Sequence, residues 1–254
     1  MTARTALITG AAQGLGAETA RHLAGRGWRV VVADLSLEAA QRVVDELGQA
    51  FPVEGGHLAL GVDVADEQRV EAAFATLSSH IDELHGVVNG AGVLFRMAAE
   101  EFETASWRLQ LDVHLTGAML CSRFAFPLLK RAGSASIVNV ASVGATFGLP
   151  GRLAYSTAKS GVLGLTRTLA VEWGPHNIRV NAIAPGYIAT EMALSGFRSG
   201  ALDRDRIIDR TPLGRLGEPS EIASVIAFLL GDESSFVTGA VLNTDGGVTI
   251  DGTF

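Results

Sequence analysis

Tyr155 and Lys159 stand four residues apart, and Ser142 stands thirteen residues before the tyrosine. Positions i and i+4 of a helix share one face, so the phenol and the ammonium would be neighbours. A cation beside a phenol favours the phenolate and lowers the pKa below its usual ~10. Such a tyrosine can exchange a proton with a substrate hydroxyl. Ser142 would hold the same oxygen. Spacing alone is weak evidence, because a Tyr and a Lys one turn apart on a helix are common.

A second signal lies near the start. Thr9-Gly10-Ala11-Ala12-Gln13-Gly14-Leu15-Gly16 follows a short apolar run and opens an alanine-rich stretch. Glycines at a strand–helix junction allow a tight turn and close approach of backbone to a pyrophosphate, which the free N–H groups and dipole of the helix then hold. The spacing G-x-x-x-G-x-G differs from the G-x-G-x-x-G fingerprint. Asp34 closes the next apolar run, followed by Leu35. A carboxylate there can accept from both ribose hydroxyls of an adenosine, and it repels an added phosphate. No Arg or Lys lies between Gly10 and Gly16 to offset that repulsion, and Arg29 sits inside a strand. The cofactor expected is therefore NAD rather than NADP. The competing role for Asp34 is a cap for the following helix. Asp63 could accept from the adenine amino group with Val64 packed on the ring, or Asp63 or Asp66 could cap the next helix.

These residues need a frame. Short apolar runs at 6–9, 29–33, 58–62, 87–88, 136–140, 179–184 and 240–243 read as strands. Between them, residues 15–26, 36–47, 67–80, 107–129, 155–173 and 219–230 read as helices. Nearly continuous apolar strands separated by long helices imply βαβ crossovers. The expected fold class is α/β, a Rossmann-type doubly wound parallel sheet of about seven strands with helices on both faces. Residues 1–254 form one domain in this reading, an ordinary length for it. Residues 188–216 mix Gly, Ser, Arg and Asp with isolated large apolar side chains. They read as a mobile substrate lid, or else as an ordinary surface excursion.

Composition narrows the partners. Lys+Arg number 20 against 27 Asp+Glu, a net charge of −7, which argues against nucleic acid or an anionic membrane. The single cysteine, Cys121, permits no internal disulfide and suits a reducing, cytoplasmic setting. Neither a secretory signal nor an apolar run of about 18 residues is present, so no membrane span is expected. His22, His57, His80, His85 and His176 show no ligand spacing, and no metal is assigned.

Together, Thr9-Gly10-x-x-x-Gly14-x-Gly16, Asp63, Asn89-Gly90-Ala91-Gly92, Ser142, Tyr155-Ser156-Thr157-Ala158-Lys159, Asn181, Pro185-Gly186 and Thr190 resemble the short-chain dehydrogenase/reductase family over nearly the whole chain. The resemblance implies Tyr155 as base and acid, Ser142 as substrate orienter, and Lys159 as the ribose-binding cation that lowers the tyrosine pKa. It implies that Asn89, with Ala91 and Gly92, supports the cofactor pocket, and that Ile188 and Thr190 after Pro185-Gly186 hold the nicotinamide amide. It also implies a homotetramer or homodimer joined through 107–129 and 155–173, whose small residues Ala154, Ala158, Gly161, Gly164 and Ala170 permit close packing. One departure stands out. The family pattern V-N-x-x-G is here Val113-His114-Leu115-Thr116-Gly117. His114 either replaces the asparagine in a proton relay or is a packed structural residue.

Leu94, Phe95, Val143, Phe147, Tyr187 and Met192 are expected to line a mostly apolar substrate pocket with Ser142, within possible reach of Arg96, Arg152 and Arg198. A neutral secondary alcohol and its ketone, or a polyol or sugar, is the favoured substrate, interconverted by hydride transfer. A 3-oxoacyl thioester reductase is the alternative enzyme. A non-catalytic NAD-binding regulator is the alternative class.

Overall fold

In β1 (Thr5–Thr9) Leu7 and Ile8 are both buried, and period-two alternation sends them to opposite faces. Ile8 joins a core with α1 (Gly14–Ala24), α2 (Leu37–Ala50) and α9 (Pro219–Leu230). Leu7 joins another with α3 (Glu67–Ser78), α5 (Gly117–Arg131) and α6 (Leu153–Trp173). Each fully buried Leu or Ile contributes about 1.5–3 kcal/mol. The computed structural model describes residues 3–198, 200 and 202–252.

The remaining strands are β2 (Arg29–Asp34), β3 (Leu58–Gly61), β4 (Gly86–Asn89), β5 (Ala135–Val140), β6 (Ile178–Pro185) and β7 (Val241–Thr244). All pair in parallel, in the order β3-β2-β1-β4-β5-β6-β7. This is the expected α/β Rossmann sheet with helices on both faces. The chain leaves β1 toward one side and β4 toward the other, which opens a crevice at their carboxyl ends. Thr9 bridges the crevice floor: its Oγ1 accepts from the N–H groups of Gly90 and Ala91 at 3.1 and 3.2 Å. Gly10 adopts φ +68°, and a Cβ there would lie 2.8 Å from the Ala91 backbone. Both facts demand glycine.

The helix expected over 107–129 is longer and interrupted. It comprises α4 (Thr104–Leu111), one π-helical turn over Asp112–Thr116, and α5. Gly117, just after that turn, approaches Val64 so closely that a Cβ would meet its side chain at 2.9 Å. Four of the five small residues at α6 pack within this chain. Ala154, Ala158 and Ala170 are buried, and Gly161 lies against Leu115; of the five, Gly164 alone faces open space.

The described part of 188–216 contains helices. These are α7 (Glu191–Arg198) and the short α8 (Arg204–Asp209), capped by the Asp203 carboxylate, which accepts from Arg206 N–H. A parallel bridge pairs Ile188 with Gly217, so the excursion departs and returns at one point. There Ala189 N–H donates to Gly217 O at 2.8 Å, and Gly217 N–H donates to Tyr187 O at 3.0 Å.

Candidate active site

A cleft of about 700 Å³ runs along the carboxyl ends of the strands. Gly10, Gln13, Gly14, Leu15 and Gly16 form one end, with Asp34, Leu35, Asp63 and Val64 beside them. Ala91 and Gly92 line the middle. Ser142, Val143, Tyr155, Lys159, Pro185, Gly186, Tyr187, Ile188 and Thr190 line the other end with Leu94 and His114.

The glycine end fits a dinucleotide. Gln13, the N-cap of α1, makes no side-chain cap hydrogen bond, and the first turn carries no acid. By contrast, α2 and α3 are capped by Ser36 and Asp66. The N–H groups at the start of α1 thus remain available to an anion. Gly14 has φ +54°, with open space where a Cβ would project.

Asp34 is not the cap of α2, because Ser36 Oγ accepts from Ala39 N–H. Its Oδ2 instead accepts from Ala12 N–H at 3.0 Å and its Oδ1 from Ser36 N–H at 3.2 Å. The carboxylate is thereby fixed to the glycine loop, with lone pairs still open to the cleft. At Asp63 the cap alternative also falls away. Asp66 takes the Gln68 and Arg69 N–H groups, while Asp63 accepts only from Ala65 N–H among the described residues.

Three expected positions differ. Asn89 does not line the cleft but stands behind it. Its Nδ2 donates to Ser122 Oγ at 3.0 Å and Asn139 Oδ1 at 2.8 Å, because β4 and β5 set these side chains at one register level. Phe95 points away from the cleft and is 37% exposed, since the unpaired run after β4 turns Leu94 and Arg96 inward and the residue between them outward. Phe147 lies off the cleft because a short 3-10 turn, Val143–Ala145, carries the chain away. Met192 belongs to α7, and its side chain lies outside the described residues. Of the three arginines expected within reach, Arg96 and Arg152 line the cleft and Arg198 does not; the cleft gains Glu191, Ala193, Ser195 and Leu202. The spacing of Glu191 and Ser195, one helical turn apart, could have indicated a shared face; Leu202 arrives only because its N–H folds back onto Gly196 O.

His114 sits in the π turn, buried, with Nε2 2.6 Å from Val93 O and 3.2 Å from Val93 N. Burial, and then the Lys159 charge, push its pKa down to about 3. The ring is therefore neutral at ordinary pH, and the Nε2–H tautomer donates to Val93 O. The ring stands perpendicular to that of Tyr155, centroids 5.2 Å apart at 90°. A Cβ on Gly92 would strike His114 Cε1 at 2.5 Å. The ring thus pins the run after β4. His114→Leu is expected to lower stability by about 1–3 kcal/mol, the cost of unpartnered buried polar groups. A thermal melt reads this as a drop of several degrees, at about 2–4 °C per kcal/mol. His114→Asn, which can both donate and accept, should retain most of that stability. A leucine variant melting with the wild type would reject the pin.

Lys159 Nζ donates to Val140 O at 2.5 Å and lies 5.7 Å from the centre of the Tyr155 ring. Burial pushes its pKa down to about 7. Burial also raises Tyr155, against the Ser142 hydroxyl and the charges of Arg152 and Arg96. The expected lowering of the tyrosine by Lys159 is thus reversed in the cofactor-free protein, because burial favours the neutral form of both groups. The lysine makes stability depend on pH. Its folded pKa lies below its unfolded ~10.4, so between about pH 7 and 10.4 the unfolded chain binds more protons and stability rises with pH. Without cofactor, Lys159→Met should be more stable than wild type at pH 6, and the advantage should shrink by pH 10. Urea melts at both pH values measure this; a constant difference would contradict it.

Among the described residues no group of three or more His, Cys, Asp and Glu could hold a metal ion. Burial pushes the Cys121 thiol up to about 12, which makes it a poor nucleophile. No described helix is long and apolar enough to cross a membrane.

A pyrophosphate cradle sharing one cleft with a Tyr–Lys pair is the mark of a dinucleotide-dependent oxidoreductase. A family model described as enoyl-(acyl carrier protein) reductase matches residues 10–249. A cis-4-hydroxycyclohexanecarboxylate dehydrogenase of Sinomonas cyclohexanicum is 42% identical over 97% of this chain and 96% of that one. A cyclohexanol dehydrogenase of Acinetobacter sp. is 38% identical over 97% and 95%. The crystal structure of a gluconate 5-dehydrogenase from Burkholderia cenocepacia, in complex with NADP and tartrate, superposes with a TM-score of 0.92 at 30% identity, covering 99% of this chain and 97% of that one. The chain belongs to the short-chain dehydrogenase/reductase family, whose members are NAD(P)-dependent oxidoreductases.

Proposed function

We propose that this chain is an NAD-dependent dehydrogenase interconverting a secondary alcohol, carried on a ring or polyol, with its ketone. The observation that carries this reading is the convergence of Ser142, Tyr155 and Lys159 at one end of a cleft whose other end is the glycine loop with Asp34. The bound nicotinamide ring supplies the hydride acceptor or donor. Tyr155 takes the hydroxyl proton during oxidation and returns it during reduction. Ser142, whose Oγ accepts from Gly144 N–H at 3.1 Å, orients the substrate oxygen. Lys159 would hold the nicotinamide ribose, and its positive charge beside Tyr155 would favour the phenolate. Ile188 and Thr190, after Pro185-Gly186, hold the carboxamide, and residues 188–216 cover the substrate.

NAD is favoured because Asp34 faces the adenosine end and the loop carries no basic residue. Arg29 does not offset that charge: its guanidinium donates to Gly56 O and Gly55 O, each at 2.8 Å. The relatives that act on cyclohexanol and hydroxycyclohexanecarboxylate support a ring alcohol, and the gluconate enzyme supports a polyol. The test is a panel of cyclic alcohols, polyols and their ketones assayed with NAD and NADP in parallel. Turnover of a ring or polyol hydroxyl with NAD is expected. No turnover across the panel, with tight NADH binding, would favour the non-catalytic regulator.

A further inference from the structure

Most arginines of this chain that meet acids do so at the surface, as Arg21 does with Glu46, Arg42 with Glu38 and Arg215 with Glu221. Arg96 and Arg152 differ. Both line the substrate end of the cleft with Ser142 and Tyr155. Among the described residues neither makes an ion pair or a side-chain hydrogen bond, and Arg96 Nε is shut off from solvent without an acceptor. Arg152 has only the face of Tyr187, 6.0 Å from the ring centre.

The fold forces the two cations together. Met97 N–H donates to Gly151 O at 3.0 Å, which clamps the residue before one partner to the residue after the other. The α7 backbone closes over them, with a Cβ on Gly196 falling 3.2 Å from Arg96 Nη2. Burial penalises the Arg96 charge, and the like charge of Arg152 adds to that penalty. Nearby acids give no relief. Glu191 is engaged by Arg198, and the other cleft carboxylates, Asp34 and Asp63, belong to the adenosine end. Two forks of N–H donors without an acceptor suit a planar anion with two oxygens.

We propose that Arg96 and Arg152 form a carboxylate-binding subsite, so that the substrate is a secondary alcohol or ketone that also carries a carboxylate. This rests on the dehydrogenase reading above, and it replaces the neutral substrate expected from the apolar lining. Arg152 is the N-cap of α6, three residues before Tyr155, and both side chains line the substrate end of the cleft. The carboxylate and the carbinol carbon therefore share that end, on one ring or one short chain.

The experiment compares 4-hydroxycyclohexanecarboxylate with its uncharged carboxamide, as kcat/KM ratios with NAD. Wild type should favour the carboxylate by at least about tenfold, the range of charge-assisted hydrogen bonds. Arg96→Met and Arg152→Met should each bring the ratio toward one, while Arg96→Lys should keep part of it. A second measurement needs no turnover: calorimetric binding of cyclohexanecarboxylate and cyclohexanecarboxamide to the enzyme–NADH complex, with NADH binding as the check on folding. Carboxylate-selective binding lost in the arginine variants supports the subsite even if no alcohol turns over, in which case only the dehydrogenase reading fails. A wild type that binds acid and amide equally, a preference for a phosphate ester over the carboxylate, or selectivity that survives both methionine variants would overturn it.

Discussion

Tyr155→Phe should abolish most turnover while leaving the protein folded and able to bind NADH. The substitution removes one hydroxyl and keeps the ring that packs perpendicular to His114. Positioned acid–base groups typically contribute about 10²–10⁴-fold, so a loss of kcat of that size is expected. Substrate KM and the thermal midpoint should move far less, because the apolar contacts remain. Stopped-flow or steady-state NADH absorbance with the best panel substrate measures the first, and NADH fluorescence titration the second. If the phenylalanine variant kept kcat within a fewfold of wild type, the proton would be passing through another group and the assignment would fail.

The second large effect concerns the cofactor. Asp34→Asn keeps one oxygen that can accept from Ala12 N–H and gives up the contact from Ser36 N–H, while the charge is removed. Two unit charges about 4 Å apart interact by about 4 kcal/mol at an intermediate dielectric, which serves as an upper guide. The NAD-to-NADP ratio of kcat/KM should fall by about 10- to 1000-fold, through gain with NADP and loss of the ribose hydrogen bonds with NAD. Asp34→Ala should shift it further but with a perturbed loop. An unchanged ratio in the asparagine variant would remove Asp34 from cofactor choice.

The parts of the site legible in the sequence were those whose chemistry is local. The glycine loop announces itself because Gly10 and Gly14 hold positive φ where a strand meets a helix. Asp34, Ser142, Tyr155 and Lys159 each sit at a strand end or one turn into a helix, where the period of the pattern fixes the direction of the side chain. The illegible parts depend on contacts between distant segments. Nothing near His114 in the chain signals a π turn, which accompanies the close approach of Gly117 to Val64. The helices α7 and α8 have eight and six residues, too short for periodicity to separate them from a polar loop. The directions of Phe95 and Phe147 depend on irregular backbone. The pairing of Arg96 with Arg152 rests on one hydrogen bond between segments far apart in sequence. Burial of Tyr155, which raises its pKa in the cofactor-free protein, is illegible for a related reason: a sequence displays the neighbouring charge but not the water excluded around it.

The parallel bridge between Ile188 and Gly217 brings the two ends of the excursion together beside the sheet, and Leu213 N–H, donating to Gly246 O at 3.2 Å, ties its last residues to the turn after β7. Ahead of that tie the length can change at little entropic cost, since doubling a loop adds only about 0.6 kcal/mol of closure entropy. The excursion is in effect a cassette. Exchanging residues 189–210 for those of a relative should alter which rings or chains are accommodated, while the proposed roles of Tyr155, Arg96 and Arg152, which lie outside the exchanged segment, stay with the scaffold.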